Sequence, residues 1–235
     1  MCCRLHGLPF LRFGLLSLSW IVATGILAPI ATPQTAAQHK PPAPPVSYTR
    51  EGAIPMPQDR ADDSYAIYSL LMPGKTLAAL PSAQGAPWAI AAVTINDGDR
   101  NPAIPPQGQL KPPPENPRGF QEAVQDYQAN RDYRIALTKD AFQLNHPFDL
   151  LDPDDVAALR AAKAASQVSS ESQSQWSAYA GVTFFSGVYF DIKHRAALVY
   201  INDWCAHLCS AGSWVYLEKH GGQWVRRSGI VTGGA

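Results

Sequence analysis

The segment Trp204-Cys205-Ala206-His207-Leu208-Cys209 brings reactive side chains together within six residues. It combines two thiols with an imidazole, which are groups that form disulfides, bind soft metal ions or exchange electrons. Three interpretations follow from these residue types: a disulfide between Cys205 and Cys209, a metal site, and a redox-active dithiol.

A disulfide between Cys205 and Cys209 requires the chain to fold back. The two α-carbons of a disulfide lie within about 7 Å of each other, whereas residues four apart in an extended strand are about 13 Å apart. The residues Ser210-Ala211-Gly212 that follow make such a reversal easy. These are also the only cysteines outside the N-terminal segment, and an oxidising compartment favours their pairing. The sequence therefore favours a Cys205–Cys209 disulfide.

The metal and redox interpretations have weaker support from the spacing. In an extended chain Cys205, His207 and Cys209 point to one face and offer three ligands that suit zinc or copper. A structural zinc site usually has two paired clusters, and here His194 or His220 would have to arrive from elsewhere in the fold. Redox dithiols typically carry two intervening residues rather than three. We expect neither a metal nor another cofactor.

Catalytic residues are not indicated by any motif. The polar groups to examine for a cleft are Asp191, Asp203 and His207. If the chain were a secreted hydrolase or a metal-dependent enzyme, it would use His207 together with Asp203 or His194.

Two further patterns have structural interpretations. Asn96-Asp97-Gly98-Asp99 lacks the twelve-residue ligand series of a calcium loop and is interpreted as a turn. Trp204, Trp214 and Trp224 recur at ten-residue intervals, and we expect them to pack in the core or at a sheet edge. On one exposed face they would instead form an aromatic platform for a glycan or a partner protein.

The elements that must position the cysteine segment lie in the last third of the chain. Four segments rich in β-forming residues are predicted to be strands: residues 182–190, 196–204, 213–219 and 223–231. Gly221-Gly222 suits a two-residue hairpin turn. Because short connections join successive strands, we predict an antiparallel meander of about four strands.

The first part of the domain is predicted to be mainly helical. Asp62-Asp63-Ser64 can cap a helix that runs through Met72, residues 120–127 have helical spacing, and Asp152-Pro153-Asp154-Asp155 begins a third helix. Residues 88–95 and 133–138 are predicted strands. The fold class is therefore α+β, with N-terminal helices packed on one face of the C-terminal meander.

The N-terminal residues have the order of an export signal. Arg4 and Arg12 precede an uncharged run over residues 13–30, and small residues follow, with Thr35 and Ala37 at cleavage-type positions. We predict a signal peptide over residues 1–37, with an uncleaved anchor as the alternative. Either one places the domain outside the cytosol, secreted or periplasmic.

Proline-rich stretches define the remaining boundaries. Residues 38–60 are predicted to be a linker, and residues 61–235 a single α+β domain with a proline-rich loop at 101–118. Removal of the first 37 residues leaves 17 basic and 19 acidic residues, without a lysine- or arginine-rich stripe. This charge pattern excludes nucleic-acid binding, and the sequence leaves the partner unknown.

The last third of the chain resembles the C-terminal block of a family of bacterial exported proteins of unknown function. The residues that carry the resemblance are Phe190, Ala197-Leu198-Val199-Tyr200, Cys205, Leu208-Cys209, Gly212, Tyr216-Leu217-Glu218-Lys219 and Gly222-Gln223-Trp224. Residues 63–71 are similar to the opening helix of that family, whereas Ala206 and Ser210 stand where it usually has glycine. The resemblance implies export, a small α+β fold and a structural cysteine pair, but no activity. We therefore expect an exported binding or structural domain rather than an enzyme.

Overall fold

The computed structural model describes residues 48–100, 102–166, 175–206 and 209–227. Five α-helices lie in these ranges: α1 (Gln58–Leu71), α2 (Lys75–Ala78), α3 (Pro106–Gln109), α4 (Pro117–Asn130) and α5 (Pro153–Ser166). Strands β1 to β4 are Ala53–Pro55, Trp88–Ala91, Arg134–Ala136 and Phe148–Leu151. Strands β5 to β9 are Val182–Phe185, Tyr189–Phe190, Ala196–Ala206, Cys209–His220 and Gln223–Arg226.

The C-terminal strands form the predicted antiparallel meander. Strand β7 pairs with β5 and β6 on one side and with β8 on the other, and β8 pairs with β9. Gly221 and Gly222 both have positive φ in the turn between β8 and β9, as that hairpin requires. With the helices that precede it, this meander confirms the α+β class.

The main sheet also contains parallel strands. Its order is β4-β2-β5-β7-β8-β9, and β2 runs parallel to both β4 and β5. A separate pair joins β1 to β3, also in parallel. Parallel neighbours need long connections, and here these connections contain helices α3, α4 and α5. The whole sheet is therefore mixed.

Helices cover both faces of the sheet, so the prediction that they pack on one face is wrong. Ala197, Val199 and Ile201 of β7 pack in the same cluster as Tyr68 of α1, on what we call the α1 face. The alternate residues Ala196 and Leu198 pack with Phe120, Val124 and Tyr127, on the α4 face. Because successive side chains of a strand point to opposite sides, the nearly uninterrupted apolar run of β7 serves two cores.

The turn after β2 is held by two ion pairs. Asp99 accepts from Arg134 Nη2 at 2.7 Å and from Arg134 Nε at 3.0 Å, and its side chain is 0% exposed. Asp97 pairs with Arg100 and accepts from the Tyr127 hydroxyl at 2.6 Å. The Asn96 side chain accepts from the Asp99 N–H, and the Asp99 side chain accepts from the Asn96 N–H. These two bonds cap a 3-10 turn, which confirms the interpretation of this segment as a turn.

The folded part of the chain begins earlier than the sequence predicts. Within residues 48–60 the Tyr48 hydroxyl accepts from the Val93 N–H at 2.9 Å, β1 pairs with β3, and α1 begins at Gln58. The end of the predicted linker is therefore folded, because backbone pairing with β3 holds β1 in place. The proline-rich loop also contains α3 and the first residues of α4.

The predicted signal peptide, residues 1–37, lies outside the described residues. Within the described part of the chain, none of the helices has both the length and the hydropathy that a membrane span needs.

Candidate functional site

The hairpin between β7 and β8 contains the predicted disulfide. Cys205 and Cys209 are bridged, and their α-carbons lie 5.2 Å apart. His207 lies outside the described residues, and no group of three or more His, Cys, Asp or Glu side chains able to hold a metal ion occurs within the described ranges. The bridge uses both thiols, so a site that needs Cys205 and Cys209 as ligands is not formed.

The bridge stabilises the hairpin modestly. It closes a loop of only a few residues, for which the chain-entropy model gives about 2 kcal/mol. It lies between two strands rather than at a helix N-terminus, where the thiols of redox-active dithiols typically lie. The arrangement is that of a structural cross-link.

Asp203 lies two residues before the bridge and is 3% exposed. Its Oδ2 accepts from the backbone N–H of Thr76 at 2.9 Å and of Leu77 at 3.4 Å. Its Oδ1 accepts from the Thr183 hydroxyl at 2.9 Å. Burial raises the pKa of the Asp203 carboxyl, although these hydrogen bonds oppose the rise. Asp203 therefore ties β7 to β5 and to the first turn of α2.

Glycine at two positions allows the backbone to approach closely here. A β-carbon at Gly74, immediately before α2, would collide with the Asp203 carboxylate. A β-carbon at Gly212 of β8 would collide with the Tyr200 hydroxyl. Both glycines therefore let these side chains lie against the backbone around the hairpin.

A cleft of about 130 Å³ opens beside Asp203 on the α1 face. We call it the hairpin cleft; its walls come from α1, α2 and strands β7 to β9 and include Leu71, Lys75, Ile201, Asp203, Ser213 and Arg226. The β8 wall lies close to Cys209 in the chain, and the β7 wall close to Cys205. The disulfide therefore helps to fix the separation of β7 and β8, both of which line the cleft.

The charges that line the hairpin cleft are mainly positive. Lys75 and Arg226 are exposed, and neither forms a salt bridge with an acid in the described part of the chain. Asp203 is buried and its oxygens accept hydrogen bonds from the protein itself. The hydroxyl-bearing residue Ser213 adds a polar group. Two cations and a hydroxyl are thus available to a ligand.

The structure places the other candidate residues away from this cleft. His194 has φ of 50°, stacks on Phe190, and has Nδ1 3.6 Å from Asp63 Oδ2. Asp191 accepts from the backbone N–H of Arg195 at 2.5 Å and of Ala196 at 2.7 Å. Both residues lie before β7, about 20 Å or more along the strand from Asp203 at about 3.3 Å per residue. Asp191 therefore stabilises a turn, and His194 does not meet Asp203.

The three tryptophans do not form an exposed platform. Trp214 and Trp224 are 3% and 8% exposed. Trp214 belongs to the cluster on the α4 face, and Trp224 to the cluster on the α1 face. Half-buried Trp204 packs against a third cluster, which contains Val156 and Leu159 of α5. The predicted packing role is confirmed.

Sequence reasoning selected Asp203 and the cysteines but missed Lys75, Ser213 and Arg226. These three residues come from α2, β8 and β9, and no local pattern connects them. Comparison with protein-family models, curated proteins and solved structures finds no match to this chain.

Proposed function

We propose that this chain is an exported, non-enzymatic binding domain and that the hairpin cleft is its ligand site. The observation that carries the proposal is the combination, in one cleft, of two cations that form no salt bridge within the described ranges and two lining strands joined by a disulfide. A preformed concave site with a few polar groups is typical of small-ligand binding.

Binding is favoured over catalysis by the state of Asp203. A general base must have a free lone pair within hydrogen-bonding reach of the proton that it removes. Oδ2 of Asp203 already accepts from Thr76 and Leu77, and Oδ1 accepts from Thr183, so three of the roughly four acceptor positions of the carboxylate are used by the protein itself. Its role is to hold the walls of the cleft in place, while Lys75 and Arg226 face the ligand.

Export is supported by the order of residues 1–37 and is compatible with the disulfide, since stable disulfides form in oxidising compartments. The domain is then secreted or periplasmic. The resemblance to exported bacterial proteins of unknown function supports the same placement, and we propose membership of that family on the residues quoted above.

The mass of the chain tests export. When free thiols are alkylated during lysis and the protein is isolated from fractions outside the cytosol, we expect a chain that begins near Gln38. We also expect Cys205 and Cys209 to be unalkylated, and the mass of the chain to be lower than that of the reduced form by two hydrogens. A full-length chain confined to the cytosol, with both thiols alkylated, would contradict export.

Amide chemical-shift mapping tests the cleft. A set of small acids, amines and neutral amides, each added to ¹⁵N-labelled protein at constant ionic strength, is expected to shift the amides of Lys75, Thr76, Gly212 and Ser213 first. A tryptophan at Ala211, an exposed residue that borders the cleft, is expected to abolish these shifts. The matched control is tryptophan at exposed Lys193 in the turn before β7. Shifts that cluster elsewhere, or that survive Ala211→Trp, would rule out the hairpin cleft as the ligand site.

A further inference from the structure

The hairpin cleft has a recognisable charge pattern. Lys75 at the start of α2 and Arg226 at the end of β9 both line it. The carboxylate of Asp203 also lines the cleft, but its oxygens accept hydrogen bonds from backbone and hydroxyl groups of the protein. Lys75 and Arg226 outnumber this one carboxylate, so the charge that lines the cleft is net positive, which favours an anion.

The backbone of β8 adds a hydrogen-bond donor beside these cations. The N–H of Lys219 donates to Arg195 O on the β7 side, whereas Tyr216 O accepts from Arg227 N on the other side. Alternate residues of β8 therefore turn their backbone groups away from β7, and Trp214 N donates in that direction to Gln109 Oε1. Gly212 lies two residues before Trp214, so its N–H also points away from β7, and Gly212 lines the cleft. No strand of the described residues pairs with Gly212 on that side.

The size and the apolar wall of the cleft restrict the anion. The cleft volume of about 130 Å³ is smaller than the roughly 300–1,000 Å³ of drug-sized ligand sites. Leu71 and Ile201 form an apolar part of the lining. A purely inorganic anion gains nothing from that wall, whereas a carboxylate attached to a short hydrocarbon chain gains from burying it.

We infer that the hairpin cleft binds a compact carboxylate, with the charged group between Lys75 and Arg226 and a short apolar chain against Leu71 and Ile201. This inference rests on the proposed function of the same cleft. Such a group occurs in free short-chain acids and at the C-terminus of a peptide. The Ser213 hydroxyl and the Gly212 N–H are the uncharged donors to its oxygens.

Propionate and propionamide test the inference because they differ in charge but hardly in shape. In titrations followed by the amide shifts of Gly212 and Ser213, we expect propionate to bind at least about tenfold more tightly than propionamide. The double variant Lys75→Gln/Arg226→Gln is expected to lose about tenfold in affinity for propionate. The matched control Lys193→Gln/Arg195→Gln removes the same charge from exposed positions in the turn before β7 and should bind as the wild type does.

The peptide acetyl-Gly-Gly-Ala and its C-terminal amide distinguish the two sources of the carboxylate. If the free-acid peptide binds more tightly than propionate, the natural ligand is a peptide C-terminus. If propionate binds more tightly, the ligand is a free short-chain acid. Either result supports the inference. Equal affinity for propionate and propionamide would overturn it while leaving the cleft as a binding site. Absence of shifts at the cleft with every probe would instead contradict the proposed function itself.

Discussion

Replacement of Asp99 by alanine is expected to lower the free energy of unfolding by about 4 kcal/mol, since breaking a buried ion pair typically costs about 3–5 kcal/mol. Asp99 accepts two hydrogen bonds from the guanidinium of Arg134 and one from the Asn96 N–H. Without the carboxylate, the Arg134 side chain, which is 17% exposed, keeps its charge without a partner. Urea unfolding followed by tryptophan fluorescence measures the effect.

An exposed ion pair provides the control for this experiment. Arg50 and Asp152 lie 2.7 Å apart, with side chains 59% and 53% exposed. Arg50→Ala is therefore expected to cost less than about 1 kcal/mol. If Asp99→Ala cost no more than Arg50→Ala, water would have to reach Arg134 freely, and the buried pair would not stabilise the turn.

Replacement of Asp203 by alanine is expected to cost about 3 kcal/mol and to disturb the hairpin cleft. The substitution leaves the backbone N–H groups of Thr76 and Leu77 and the Thr183 hydroxyl without their acceptor. Each buried polar group that loses its partner costs roughly 1–3 kcal/mol. The loss should appear in urea unfolding and as changed amide shifts in α2.

Asp203→Asn distinguishes lost hydrogen bonds from lost charge. The asparagine oxygen can still accept from the two backbone N–H groups, while its amide donates to the Thr183 hydroxyl oxygen. We expect a cost of less than about 1 kcal/mol. If Asp203→Asn cost as much as Asp203→Ala, lost hydrogen bonds would not explain the destabilisation.

The raised pKa of Asp203 adds a pH signature to this comparison. A carboxyl whose pKa is higher in the folded than in the unfolded chain is more costly to ionise when folded. Relative to Asp203→Asn, the wild type should therefore lose stability as the pH rises from below about 3.9, the ordinary value for aspartate, through the folded pKa. A gain in relative stability over that range would mean that hydrogen bonding outweighs burial.

The parts of the fold that could be predicted from the sequence are local ones. The Gly221-Gly222 turn and the short loops between C-terminal strands predict antiparallel neighbours, because neighbours in the chain are neighbours in the sheet. The Cys205–Cys209 bridge also depends only on residues four apart and on a chain reversal between them.

The parts that could not be predicted depend on residues that are distant in the chain. Phe148–Leu151 carries a short apolar pattern and becomes a strand because β2 pairs with it, sixty residues earlier in the sequence. The hairpin cleft likewise unites Lys75 with Arg226 through the packing of α2 on the sheet. Such contacts have no sequence period, so Asp203 could be named as a candidate but its surroundings could not.

Strand β7 contributes to apolar clusters on both faces of the sheet, and this affects how the domain unfolds. Ala197, Val199 and Ile201 belong to the cluster on the α1 face, and Ala196 and Leu198 to the cluster on the α4 face, so the helices on either side depend on the same strand. Withdrawal of that strand would hydrate both clusters at once. Loss of structure over the region built around β7 should therefore be all-or-none, with the amide hydrogens of its central residues exchanging with solvent only through global opening.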